Sequence, residues 1–249
     1  MNNVSLSESK SSVDKTGRRV QDMFAQIAPR YDLMNHVLSA GIDIRWRKRV
    51  VSLLRLDTDL PVLDCCTGTG DLALMLADKA NGKFSVVGSD FCSPMLQIAN
   101  SKLAKSNANS GVKFLQADSQ ALPFESNAFQ AVTVAFGLRN VQDTDLGISE
   151  MHRVCAPGGQ VCVLEFSQPT LPGFSHAYRL YFKHVLPRVG QAFAKNNQDA
   201  YDYLPNSVMQ FPSGQALADK MEEHGISNVQ VIPLTMGIAS IYIGDKQAV

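Results

Sequence analysis

"VLDCCTGTGDLALMLADKANGKFSVVGSD" runs from Val62 to Asp90, and its reading decides the fold. With Pro61 in front, "PVLDCC" (61–66) is a short apolar strand. "GDLALMLADKA" (70–80) carries helical spacing, with Asp71 in the first turn, where a negative charge is favoured. "FSVVGSD" (84–90) is a second strand. Gly68 and Gly70 sit between the first strand and the helix. Glycine there lets the backbone turn sharply and come close to a ligand, and the helix N–H groups face whatever arrives.

Working outward, the alternation continues. "SPMLQIANSKLAK" (93–105) is a helix, with Ser93 fitting an N-cap and Pro94 the first helical position. "VKFLQAD" (112–118) and "FQAVTVAF" (129–136) are the third and fourth strands. "DLGISEMHRVCA" (145–156) is a helix closed by "PGG", and "QVCVLEFS" (160–167) is the fifth strand. Strands alternating with helices predict a parallel sheet covered on both faces. "NVQVIPLT" (228–235) and "GIASIYIGD" (237–245) follow each other almost without a gap and predict an antiparallel hairpin at a sheet edge. The fold class expected is α/β, Rossmann-like: the class I S-adenosylmethionine (SAM)-dependent methyltransferase layout of five parallel strands plus a C-terminal hairpin.

Upstream, Val20, Met23, Phe24 and Ile27 recur at helical spacing, with Pro29 at the helix end, and a second amphipathic stretch covers about 44–54. Residues 1–16, rich in Ser, Asn, Lys and Asp, are expected to be a disordered tail. Residues 17–249 form one expected domain, with an N-terminal helical segment (17–58) and a cap inserted at 168–226.

Lys plus Arg equals Asp plus Glu, 23 each among 249 residues, so nothing global points to nucleic acid. The five cysteines show neither a disulfide pattern nor zinc spacing, and no metal is expected. The N-terminus lacks a signal-peptide core, and no apolar run approaches the roughly 20 residues of a membrane span. These features predict a reduced, cytoplasmic enzyme.

The cofactor is read from acids. Gly68, Gly70 and Ala73 also satisfy the dinucleotide fingerprint, and Asp90 lies where its ribose acid belongs, so on this segment NAD stays a rival. Asp64 shifts the balance, because a carboxylate before the loop suits an ammonium and a sulfonium and repels a pyrophosphate. Asp90 can accept both ribose hydroxyls. Asp118, with Ser119 beside it, can accept from an adenine amino group. Three acids at the ends of three strands form one row on the sheet edge where such folds bind ligands.

Four stretches, "YDLMNHVLSAGIDIRWRK" (31–48), "LDCCTGTGD" (63–71), "FGLRNV" (136–141) and "HRVCAPGGQVCVLEFS" (152–167), resemble the ubiquinone/menaquinone biosynthesis C-methyltransferases, as does "YDYLPNSVMQFPSG" (201–214). The resemblance covers about 18–245. It departs at Asp43, where the first signature usually has His, and at Cys155 and Ala156. It implies SAM as cofactor, with Thr69, Asp90, Asp118 and Ser119 as contacts, and a prenylated quinol as acceptor. Demethylmenaquinol is the leading acceptor. The ubiquinone-pathway benzoquinol, another small hydrophobic acceptor and a non-catalytic adenosyl-binding module are the alternatives.

Carbon methylation of a hydroquinone needs a stabilised phenolate close to the methyl donor. The loop after the fourth strand, "FGLRN", should face the acceptor. Arg139 can bind the phenolate or orient a water, and Asn140 can hold the second ring oxygen. The alternative is that Arg139 pairs with an acid such as Asp143 and only shapes the loop. Tyr31 and Asp32 are expected over the cofactor, and Tyr201 and Tyr203 either line the acceptor pocket or pack. His152 is expected at the surface or in packing, and His36 nearer the site. "FSHAYRLYFKHVLPRVGQAF" (174–193) is a basic amphipathic stretch that fits either a peripheral membrane contact or a cap helix. A homodimer is left open.

Overall fold

The computed structural model describes residues 17–39, 41–106, 111–169 and 198–248. The 1–16 tail, the 174–193 stretch, His176 and His184 lie outside the described residues, as does the side chain of Tyr201.

Seven strands form one sheet among these residues: β1 (Val62–Cys65), β2 (Val86–Asp90), β3 (Val112–Gln116), β4 (Phe129–Ala135), β5 (Cys155–Phe166), β6 (Ile226–Leu234) and β7 (Ala239–Lys246). Their order is β3-β2-β1-β4-β5-β7-β6. β1 to β5 run parallel, and β7 is antiparallel to both β5 and β6. The expected hairpin is present, and β7 lies inside while β6 takes the edge. Strand order reverses at β1, which pairs β2 on one side and β4 on the other. Diverging crossovers there open a crevice at the carboxyl ends.

The α-helices among the described residues are α1 (Gly17–Ile27), α2 (Tyr31–Leu38), α3 (Ile42–Leu53), α4 (Asp71–Ala80), α5 (Ser93–Lys105), α6 (Thr144–Val154), α7 (Gln198–Gln210) and α8 (Gln215–Glu223). Successive strand residues point to opposite faces, and the two cores follow that rule. Val62, Ala131, Cys162, Leu164, Ile241 and Ile243 pack with α3 and α4 through Trp46, Val50, Leu72 and Leu76. Leu63, Val132, Val134, Val161, Val163 and Tyr242 pack with α6 and α8 through Ile148, Met151, Leu217 and Met221. A third cluster joins Ile27 and Ala28, at the end of α1, to Cys92 and Met95 at the start of α5. It seats the N-terminal helices over the carboxyl edge of the sheet.

Three local differences from the sequence reading have physical causes. Pro29 lies within a 3-10 turn (Ala28–Arg30) that links α1 directly to α2. "PGG" is part of β5 rather than the end of a helix. Cys155 pairs with Phe129 and Gln160 with Ala131, so the extra residues form a bulge. Gly158 takes φ 78° there, and a Cβ on Gly159 would come within 2.6 Å of the Gln130 carbonyl oxygen. β6 also begins earlier than expected, at Ile226, with a second bulge between Ser227 and Gln230. Among the described residues no helix is long and apolar enough to cross a membrane.

Candidate active site

A cleft opens at the carboxyl ends of β1, β2 and β4. Tyr31, Cys66, Gly68, Asp90, Asp118 and Ser119 line it on the β1–β3 side. Ala135, Phe136, Gly137 and Asn140 line it on the β4 side, and Phe24 and Met95 close over it. Of the sequence-derived residues, Gly68, Asp90, Asp118, Ser119 and Asn140 come together here.

The loop between β1 and α4 needs its glycines. Gly68 has φ 57° and Gly70 φ 83°, backbone that L side chains rarely adopt. A Cβ on Gly70 would lie 2.7 Å from Phe114 Cζ. The Gly68 N–H is aimed at Asp90, donating to Oδ2 at 2.8 Å, while the Cys92 N–H donates to Oδ1 at 2.8 Å. Burial pushes the Asp90 carboxyl up to about 6, with those two N–H groups pulling the other way. A buried carboxylate still short of donors fits a ligand that brings hydroxyls, as a ribose does.

Asp118 accepts from the Gln120 backbone N–H at 2.9 Å and from its side chain. Ser119 Oγ lies 3.3 Å from Cys66 Sγ. Cys66 has φ 49°, and burial raises its thiol to about 12, so it is a neutral wall of the cleft rather than a nucleophile.

Asp64, Thr69 and Gly70 are placed behind this surface. Asp64 is buried, accepting from Thr67 Oγ1 at 2.6 Å and Thr133 Oγ1 at 2.9 Å. Burial raises it to about 6. Thr69 Oγ1 donates to Asp32 Oδ1 at 2.5 Å. Lys102 Nζ then reaches Asp32 at 2.6 Å and Asp71 at 2.5 Å. That network ties α2, the glycine loop and α5 together, and sequence spacing did not reveal it.

The loop after β4 is the other half of the site. Phe136 holds φ 58°, exceptional for a bulky residue. A Cβ on Gly137 would fall onto Cys66 Cβ, so only glycine lets the loop close against β1. Asn140 Oδ1 is buried and has no hydrogen-bond partner among the described residues. Arg139 is not among the described lining residues. Its Nη1 donates to both Glu165 oxygens at 3.0 Å and to the Phe136 carbonyl at 2.6 Å. Its Nε is buried and unpaired among the described residues. The partner of Arg139 is therefore Glu165 and not Asp143, which caps α6 by accepting from the Asp145 and Leu146 N–H groups. Glu165 was missed in the sequence, and no local spacing could have found it.

Other expected residues lie elsewhere. His36 Nδ1 pairs with Asp43, itself buried between Ser39 and Arg47. His152 packs its ring against Gly225, and His224 bridges Ser149 and Asp145. Tyr203 is half-buried on α7, outside the described lining of the cleft. The described residues contain no cluster able to hold a metal ion.

A model of the ubiE/COQ5 methyltransferase family matches residues 11–246. Over 224 residues the chain is 49% identical to a demethylmenaquinone methyltransferase of Thermus thermophilus, covering 90% of this chain and 100% of that protein. Over 235 residues it is 43% identical to a ubiquinone/menaquinone biosynthesis C-methyltransferase of a Geobacter species, covering 94% and 99%. Among solved structures, a SAM-dependent methyltransferase of Thermotoga maritima superposes with TM-score 0.62 at 17% identity, covering 92% of this chain and all of that one. The [4+2]-cyclase SpnF gives TM-score 0.64 at 17% identity, covering 96% and 100%. At such identities the likeness is one of fold alone, and a cyclase on the same frame shows why chemistry must be argued from the site.

Proposed function

Because the chain belongs to the ubiE/COQ5 methyltransferase family, we propose that it methylates a ring carbon of demethylmenaquinol. It is a SAM-dependent C-methyltransferase of quinone biosynthesis, and the α/β frame, the glycine loop and the buried Asp90 fit that cofactor. The cofactor, when bound, supplies an electrophilic methyl group on a sulfonium.

Within this reading Asp90 accepts the ribose hydroxyls, and Asp118 and Ser119 hold the adenine end. Gly68 lets the backbone approach the ligand, with Thr69 and Gly70 shaping the loop. Asp64 fixes the β1 end through two threonines and adds negative potential beneath the positive centre. The acceptor occupies the β4 side, beside Ala135, Phe136 and Gly137.

The observation that carries the acceptor assignment is an orphaned buried atom in the cleft lining after β4: Asn140 Oδ1 has no partner among the described residues. A buried polar atom without a partner is unfavourable by about 1–3 kcal/mol, so an arriving hydroxyl is held there. Asn140 accepts from one ring hydroxyl. Arg139, behind that lining, turns its positive charge toward the phenolate that makes the ring carbon nucleophilic. The hydroxyl proton leaves to solvent, and loss of the ring proton after methyl transfer restores aromaticity.

Purified protein should convert demethylmenaquinol to menaquinol with SAM, read by mass spectrometry of the extracted quinones. Methylation of the ubiquinone-pathway benzoquinol in its place would reassign the acceptor, and an unchanged quinone pool would overturn the reading. A prenylated acceptor also calls for peripheral contact with a membrane. Flotation with anionic liposomes tests it, and protein left wholly in the soluble fraction counts against it.

A further inference from the structure

Glu165 is a fully buried acid that the chemistry above leaves unassigned, and its side-chain partner Arg139 leads to the strained loop. It stands one residue before the end of β5, next to β4 in the sheet. Its Oε2 accepts from the Phe166 N–H at 2.9 Å, which fixes the carboxylate against its own strand. Both oxygens then accept from Arg139 Nη1 at 3.0 Å. The same Nη1 donates to the Phe136 carbonyl at 2.6 Å, and Asn140 Nδ2 reaches that carbonyl at 3.4 Å. One carbonyl therefore holds both residues of the acceptor side.

Phe136 is where the strain sits. Its N–H still follows the sheet, donating to the Leu164 carbonyl at 2.7 Å, but its φ of 58° turns the chain sharply into Gly137. Its ring packs on Phe166 with centroids 4.6 Å apart, and the Arg139 guanidinium lies over the Phe166 ring at 5.3 Å. Such a backbone conformation persists only where its surroundings over-determine it. The surroundings here are a guanidinium on the Phe136 carbonyl and a carboxylate that holds the guanidinium.

We propose that Glu165 is a positioning residue for methyl transfer: it aims Arg139 at the Phe136 carbonyl, keeps Phe136 in the left-handed conformation and so sets Asn140 and Gly137 in the cleft. It touches neither the cofactor nor the acceptor. The turnover part of this proposal rests on the quinol reading above, while the backbone part does not.

The experiment uses full-length protein carrying Glu165→Gln. Turnover should fall by about tenfold or more, since misplacing a reacting group by about 1 Å can lower a rate about 100-fold. S-adenosylhomocysteine affinity should change by less than about twofold, a small perturbation on a logarithmic affinity scale. A crystal structure of the variant should show Phe136 out of the left-handed region. In a Phe136→Gly background the turn needs no anchor, so Glu165→Gln should then change turnover by only about twofold, the non-additivity expected of coupled residues. If Glu165→Gln fails to fold, Glu165→Asp keeps the charge on a shorter arm and should show the same split, reduced turnover with cofactor affinity intact. Unaltered Phe136 geometry in the variant overturns the proposal, as does an equal effect of Glu165→Gln in both backgrounds. A wild-type enzyme that ignores quinols but loses the left-handed turn in Glu165→Gln would overturn the acceptor reading and leave the positioning role standing.

Discussion

Asp64 and Asp90 end neighbouring strands, and burial brings both carboxyls up to about 6, yet they face different partners. Asp64 is satisfied by two threonine hydroxyls, whereas Asp90 keeps lone pairs for the cleft. A carboxyl whose folded value lies above its ordinary 3.8 prefers its proton in the folded chain. Its stabilising contribution is complete below the unfolded value and is lost as pH rises through about 6. In the proposed site cofactor binding would run the other way, because ribose hydroxyls would donate to the ionised Asp90. Calorimetric titration with S-adenosylhomocysteine should show affinity falling below pH about 6, by up to about tenfold per pH unit. Asp90→Asn should bind weakly with a flattened profile, and a wild-type affinity constant from pH 5 to 8 would remove Asp90 from the ribose. Asp90, which ends β2, and Asp118, two residues past β3, were legible in the sequence because strand ends announce themselves by pattern. Which acid faces the cleft was not, since Thr133, the second partner of Asp64, lies 69 residues away. The same holds for Arg139, whose nearest acid in sequence is Asp143 and whose actual partner, 26 residues on, is reached only through sheet pairing.

The two loops that close the crevice are complementary in shape. Cys66 after β1 holds φ 49°, and Gly137 after β4 has room for no side chain against it. Gly137→Ala should lower stability by about 1–3 kcal/mol, the usual range for overpacking, and should lower turnover with it. Adding Cys66→Gly should restore most of both, since it removes the colliding Cβ and relaxes the left-handed position. A thermal melt and a turnover assay of the double variant decide this, and no recovery would mean the loops are not in direct conflict. α2 offers a second case. Lys102 links Asp32 on α2 to Asp71 on α4, with Thr69 beside them. These side chains are only partly buried, so the network is worth about 1 kcal/mol at most. Lys102→Met should therefore speed S-adenosylhomocysteine dissociation by about fivefold or less, with the difference shrinking in high salt. Stopped-flow release measures it, and an unchanged rate would show that α2 does not gate the cofactor. Sequence periodicity did not mark α2 as a helix. It spans eight residues and follows a 3-10 turn without a break, so neither length nor a start signal isolates it. "PGG" misled for a related reason: those residues stop helices, but here they kink a strand.

Across the whole molecule, Trp46 joins parts that the chain keeps far apart. Its Nε1–H donates to Thr235 Oγ1 at 3.0 Å, fastening α3 to the β6–β7 turn, and its ring lies 5.9 Å from that of Phe136. It is the single tryptophan of the 249 residues, so its emission reports on that place alone. Addition of the quinol to the S-adenosylhomocysteine complex should change this emission, whereas S-adenosylhomocysteine alone should leave it nearly constant. Equal responses to both ligands would move the acceptor away from Phe136. The overall frame was the most legible level, because alternating apolar strands and amphipathic helices leave few ways to build a sheet. Strand order within the C-terminal pair was not, since either strand of a hairpin can meet β5. The order adopted bears on how the chain comes together during synthesis. β6 precedes β7 in the chain, yet among the described strands β6 borders only β7. Residues 226–234 are made before the strand they must pair with, residues 239–246. α8 emerges just before them, and its Leu217 and Met221 share a core with Ile226, so it can shelter the nascent strand until β7 slides between β5 and β6 and joins the two halves of the sheet.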